Sequence, residues 1–366
     1  LTYYQSNKKY DSLVKYIEFV GSLKLANNNK ELSILKSKDF IAPLINTNIP
    51  KIKASALLNY SRIVYDAGKR DAAYNLLLTT LPLLNNDPNL TYDIRYDLGY
   101  YAQNTGNYIV AKEHYLEAIK ALSEYKKPDY ISYQRTYNAI AAIYWGLGKM
   151  DSTQLYFEKS LIALEKAPDK GDFMNQYYRP ALLQMNMAVV SQALGKGGEA
   201  IAFTENAVAL FQKFLDNSID EQLRAGAQRS QLAAIDNLGV FYSEQGEFKR
   251  AEELITYSYN LKKQRLANDE FDLTISKIIL AQSKVNTRDL DEAGHLLDEV
   301  LTNYKEEDAS TNIWIPNAHL ARAAIYREKN DYKNAALYYG KGEKMNRALL
   351  KNNFSKEFLE ELGSMA

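Results

Sequence analysis

Between Ser61 and Ala335 the chain repeats one arrangement seven times: a small residue, a turn residue seven positions on, and a second small residue five positions after that. The clearest copy is Leu98-Gly99, Ala102, Gly106, Tyr108, Ala111, Tyr115, Ala118; a second is Leu238-Gly239, Tyr242, Gly246, Phe248, Ala251, Ile255, Ser258. Small and apolar positions recur at three- and four-residue intervals on both sides of the glycine, which is the spacing of one helix face. Each copy therefore predicts two antiparallel helices joined by a tight turn. Weaker copies keep both offsets at Ser61/Gly68/Ala73, Ala141/Gly148/Thr153, Ala188/Gly195/Ala200, Ala281/Arg288/Ala293 and Ala323/Asn330/Ala335.

Close-packed helices need small residues where their axes cross, so Gly99 and Ala111 predict close approach, with Tyr108 and Tyr115 filling the space beside them. Gly106 and Gly246 end the first helix, because glycine takes the left-handed cap conformation cheaply. A single helix pair leaves one apolar face uncovered, and stacking on the next pair buries it; that is a solenoid. The pattern resembles the tetratricopeptide repeat, and the resemblance implies an all-α, right-handed superhelical solenoid of antiparallel helix pairs. Successive second small residues lie 38, 42, 47, 51, 42 and 42 apart, more than the family's usual ~34. Units of this length resemble those of kinesin light chains and of bacterial arrays attached to caspase-related peptidases or sensor proteins. In the longest unit, Asp216 to Arg229 reads as a polar helix extension.

These boundaries predict a degenerate or partial helical repeat over 1–54, seven repeats in one continuous array over 55–350, and a capping helix or truncated eighth repeat over 351–366. Pro88, Pro128, Pro180 and Pro316 each precede a first helix or fall early in it, where a missing amide hydrogen is tolerated.

Composition removes several classes of function. Among 366 residues, 45 Lys and Arg balance 45 Asp and Glu, so no overall basic field attracts nucleic acid. No run of about eighteen apolar residues is present, so no membrane span is expected. The absence of cysteine excludes thiol chemistry and disulfides and suits a cytoplasm or a periplasm equally. His114, His295 and His319 belong to three different repeats, with no second histidine one helical turn away, and no Gly-x-x-x-x-Gly-Lys loop exists. Neither a metal, a cofactor nor an enzymatic activity is expected.

Function then falls to a surface. The resemblance implies that first helices line a concave groove, with the residues around the first small position facing it. That face holds Asn59 and Arg62, then Tyr96, Asp97 and Tyr100, then Asn138 and Trp145, then Asn186, and then Asn237. It also takes in Leu58, Asp236 and Ile278 three positions before the small residue. Asn59, Asn186 and Asn237 share one slot, with Asp97 in the same place in a fourth repeat; a side-chain amide there can pair with a bound peptide's backbone. Tyr96, Tyr100 and Trp145 are candidate interface anchors. The lysine, arginine and asparagine clamp that family members use on a terminal carboxylate is not reproduced: its slots hold Leu58, Arg62, Asp97, Arg135 and Ala139. The expected function is a non-enzymatic scaffold that binds a protein or peptide as part of a larger protein. The alternative is a sensory module that binds a small peptide or signal and controls an attached effector.

Overall fold

The computed structural model describes residues 38, 41–84, 87–167, 172–265, 270–302, 304 and 314–353. The expectations for residues 1–37 and 354–366 lie outside them. Every regular element among the described residues is helical. The chain divides into two compact units, one holding the residues up to Lys166 and the other running from Ala167 to Asn353. Sequence had read one continuous array; a solenoid lacks a common core, so its divisions follow local contacts.

Among the described residues the first unit contains three helix pairs: α1 (Pro50–Asp66) with α2 (Arg70–Leu78), α3 (Pro88–Asn104) with α4 (Tyr108–Ser123), and α5 (Tyr130–Gly146) with α6 (Met150–Glu165). The second contains four: α7 (Arg179–Ala193) with α8 (Gly197–Asn217), α9 (Glu221–Glu244) with α10 (Phe248–Arg265), α11 (Glu270–Asn286) with α12 (Leu290–Thr302), and α13 (Ile315–Glu328) with α14 (Tyr332–Asn353). Within each unit, each helix packs on the next in order. The first repeat begins at Pro50, five residues before the expected boundary, because proline fits the first turn of a helix. Pro82 lies in a single 3-10 turn, Leu81–Leu83, that follows the short α2 and accounts for the smallest spacing.

All seven turns are built alike. The residue at the turn has positive φ, between 67° and 90° at the five glycines, 67° at Arg288 and 60° at Asn330. The next residue donates its N–H to the carbonyl five positions back, as in Asn107 to Ala102 (3.0 Å) and Asp289 to Lys284 (2.8 Å), which satisfies a carbonyl that the helix end would leave bare.

Both small positions of every repeat are buried, Gly99 and Gly239 included. A Cβ on Gly99 would stand 2.8 Å from the Tyr115 ring, and one on Gly239 would stand 2.5 Å from Ile255 Cγ1 and 3.2 Å from the Ala251 carbonyl. The helices therefore touch where the small residues lie. A third small position, seven residues past the second, is equally buried at Thr80, Ala118, Ser160, Ala207 and Ser258. At two of these sites the hydroxyl ties second helix to first: Ser160 Oγ donates to Gln134 O (2.9 Å) and Ser258 Oγ to Leu232 O (3.1 Å).

The expected extension over Asp216 to Arg229 is instead a break. Helix α8 stops at Asn217 and α9 starts at Glu221. The Asp220 side chain accepts from Leu223 N (3.0 Å), while Arg224 donates to the Leu215 and Ser218 carbonyls that end α8. Each cap satisfies backbone groups orphaned by the break.

Candidate functional site

In the first unit, the first helices are joined side by side through their polar residues. Arg62 Nε on α1 donates to Asp97 Oδ2 on α3 at 2.6 Å. Burial pushes the Asp97 carboxyl above the ordinary range, and Arg62 only partly opposes the shift. Burial also raises Asp93, one turn earlier on α3. On the far side of α3, the Arg135 guanidinium of α5 lies over the Tyr96 ring, 4.8 Å from its centroid. Tyr65 stacks on Tyr101 at 4.2 Å, and Tyr100 leans on Tyr65 at 5.6 Å. Tyr100, at the edge of this network, is 44% exposed, and Trp145, near the end of α5, is 39% exposed. Asn138 is half-buried on the same helix as Trp145.

The second unit is organised differently. Asn186 on α7 is exposed and Asn237 on α9 half-buried. Asp236, next to Asn237, is 3% exposed and meets Lys262 Nζ at 2.6 Å. Lys262, on α10, also donates to Ser276 Oγ on α11 at 2.8 Å, so one buried ammonium joins three helices of two successive repeats.

Equal register does not give equal exposure. Asn59 is 8% exposed and its amide donates to Ser55 O at 3.0 Å, so it is not a free groove amide. Ile41 and Leu44 pack on Ala56 and Ile63, the positions flanking Asn59 on the same helix face. The slot three before the small residue also turns inward: Leu58, Asp236 and Ile278 are all buried there. The positions one and four after the small residue stay more open, as at Tyr100 and Trp145. The buried lysine had one signal in the sequence. Its register is filled by Leu84, Leu122, Leu164, Phe211 and Tyr304 in five of the other six repeats and by Asn346 in the last, so a charge at Lys262 requires a buried partner.

Among the described residues, no group of three or more His, Cys, Asp or Glu side chains is placed to hold a metal ion. No described helix is long and apolar enough to cross a membrane.

Comparison with known proteins gives the class. Residues 231–255, which span the α9–α10 turn, match the family model of the tetratricopeptide repeat. No curated protein matches the chain. Among solved structures, the apo form of RapI covers 94% of this chain and 100% of its own at 13% identity, with a TM-score of 0.64. The apo form of the quorum sensor NprR from B. thuringiensis covers 94% and 99% at 14% identity, TM-score 0.56. A Rap protein complexed with Competence and Sporulation Factor covers 94% and 99% at 13% identity, TM-score 0.55. At such identities the likeness is one of fold. One repeat of the chain, over residues 231–255, thus matches the tetratricopeptide repeat, and seven turns of one design give the described residues the fold of a tetratricopeptide-repeat solenoid.

Proposed function

We propose that the chain is a non-enzymatic scaffold whose first helices hold a protein or peptide segment. The observation that carries this reading is the exposure of Tyr100 and Trp145 on two successive first helices, the first of which holds the Arg62–Asp97 bridge. In the first unit Arg62, Tyr96, Asp97, Tyr100, Asn138 and Trp145 form the binding face; in the second, Asn186 and Asn237 offer amides to a ligand backbone. The partner is a protein or peptide and not a nucleic acid, in keeping with the zero net charge. A second reading, a sensory module that controls an attached effector, draws support from the fold shared with a quorum sensor and with a Rap protein solved in complex with a factor.

The chain has two tryptophans, so Trp314→Phe leaves Trp145 as the sole indole reporter. Titrating a random heptapeptide library should shift its emission. Tyr100→Ala with Trp145→Ala should weaken retention of the selected peptides by about five-fold or more per anchor, the equivalent of roughly 1 kcal/mol each. Retention that survives this pair but fails when Lys112, Glu158 and Lys249 on second helices are changed would move the site off this face.

A further inference from the structure

The repeats are longer than the family's usual unit, and the extra length has a structural consequence. Small residues hold each helix pair together near its turn, and clefts open at the other end of the pair, in the same register in both units. In the second unit such clefts involve Gln231 and Leu261 on α9 and α10, with Gln212 of α8 on a further wall, and His319 and Met345 on α13 and α14, with Leu301 of α12 on a further wall. In the first unit the cleft lies between the N-terminal half of α5 and the C-terminal half of α6, with a volume of about 410 Å³.

That first-unit cleft has a distinctive lining. Tyr130, Tyr133 and Tyr137 form a stripe along α5, opposed on α6 by Lys159, Ile162 and Lys166, and the lining contains no carboxylate. Tyr133 and Tyr137 are stacked, with centroids 5.9 Å apart, and Ile162 is 48% exposed. Lys126 and Lys127, exposed in the connection leading into α5, add two further cations next to Pro128 at the rim. Lys159 lies over the Tyr156 ring at 4.7 Å and forms no ion pair among the described residues. Glu124, Asp129, Glu158 and Glu165 stand in the same segments but outside the lining, so the cleft itself presents lysines around an apolar floor, which suits an anionic partner with an apolar group to bury.

We propose that this cleft is a docking site for an acidic protein segment, with one aromatic or aliphatic side chain seated on the tyrosine stripe between flanking Asp and Glu residues that meet Lys126, Lys127, Lys159 and Lys166. A single-stranded nucleic acid would also present anions and flat rings. The cleft favours the peptide: it has room for one or two side chains, whereas a strand needs a continued basic track with successive stacking platforms. This site is separate from the Tyr100 and Trp145 face and stands without it.

The test uses the whole chain and a fluorescein-labelled, end-blocked heptapeptide of Asp and Glu around a central Phe, read by fluorescence anisotropy at low salt. Binding should fall on the order of ten-fold with Lys159→Glu plus Lys166→Glu, and by a similar factor when the peptide's Phe becomes Ala. Lys159→Gln plus Lys166→Gln should give a smaller loss, with helical circular dichroism unchanged. Tyr100→Ala plus Trp145→Ala should leave this binding intact, which keeps its success or failure apart from that of the first-helix face. No saturable binding, binding indifferent to the lysine changes, or tighter lysine-dependent binding of oligothymidylate would each overturn the proposal.

Discussion

The two units use one repeat to solve one problem, how to fasten neighbouring first helices, with opposite placements of charge. The first unit fastens α1 to α3 nearer the surface, where the Arg62 side chain keeps 38% of its exposure while Asp97 keeps only 13%. The second fastens α9, α10 and α11 from within, through a lysine and an aspartate whose side chains are only 6% and 4% exposed. A surface pair gains little, because water screens it and long side chains lose freedom in forming it. A buried pair is hardly screened, and losing one partner strands the other in a poor solvent. The first unit therefore keeps this contact partly open to water, while the second encloses its contact within the fold.

The largest test of that contrast is Lys262→Met, which leaves Asp236 charged and buried without its partner. Stability should fall by about 3–5 kcal/mol in urea unfolding, whereas Lys262→Met with Asp236→Leu, which removes both charges, should recover most of the loss. Equal losses in the single and double variants would mean that the ion pair is not what holds α9 to α10.

The first unit has a buried polar group of its own, with an acid signature. His114 on α4 lies 3.2 Å from both Tyr74 Oη and an Arg95 guanidinium nitrogen, and is buried. Burial, with the Arg95 charge adding to it, lowers its pKa from 6.5 to about 4. The sign follows from linkage: above pH 6.5 both folded and unfolded chains leave the ring neutral, so the group contributes no pH dependence. Below that, the unfolded chain takes a proton that the folded one refuses, and stability falls until about pH 4, where the folded ring also protonates. The full loss is about 3 kcal/mol. Wild type minus His114→Gln, followed by denaturant melts between pH 7 and 4, isolates this contribution; a flat difference would refute the neutral buried ring.

Much of this fold was legible in the sequence, because small residues and turn residues at fixed offsets are direct readouts of helix crossings and left-handed caps. All seven turns and fourteen small positions fall where the spacing put them. The candidate face was less legible, since its register fixes which way a residue points along its own helix but not what a neighbour lays over it. Asn59 is the example: it shares a slot with exposed Asn186, yet a preceding segment packs on the residues either side of it. Asp236 is another, because its burial depends on Lys262, twenty-six residues away. The break at Ser218–Asp220 was missed for a local reason: the Asp220 cap signal lay within a stretch otherwise rich in helix formers.

A smaller effect separates the two fastenings by salt. Arg62→Ala should cost less than Lys262→Met, on the order of 1–3 kcal/mol, because the arginine is partly solvated although its loss strands the mostly buried Asp97, and the difference from wild type should shrink in molar salt. The Lys262→Met difference should change little under the same conditions, since the pair it removes is shielded from counterions. If both differences respond alike to salt, the distinction between surface and interior fastening is wrong.

The smallest effect concerns the turns, where the units also differ. The first unit places glycine at all three left-handed positions, while the second uses Gly195 and Gly246 but then Arg288 and Asn330. A left-handed residue with a Cβ crowds the following carbonyl oxygen, at roughly 1–2 kcal/mol for most residues and less for asparagine. Arg288→Gly should therefore stabilise the second unit by up to about 1 kcal/mol, part of the gain being offset by the greater freedom glycine has in the unfolded chain. Asn330→Gly should gain less, because asparagine tolerates this conformation and here also accepts a hydrogen bond from the Tyr332 hydroxyl at 3.0 Å. Thermal or urea melts of the two variants rank them; an Arg288→Gly variant no more stable than wild type would mean that the arginine's aliphatic stem packs well enough to repay the strain of its backbone.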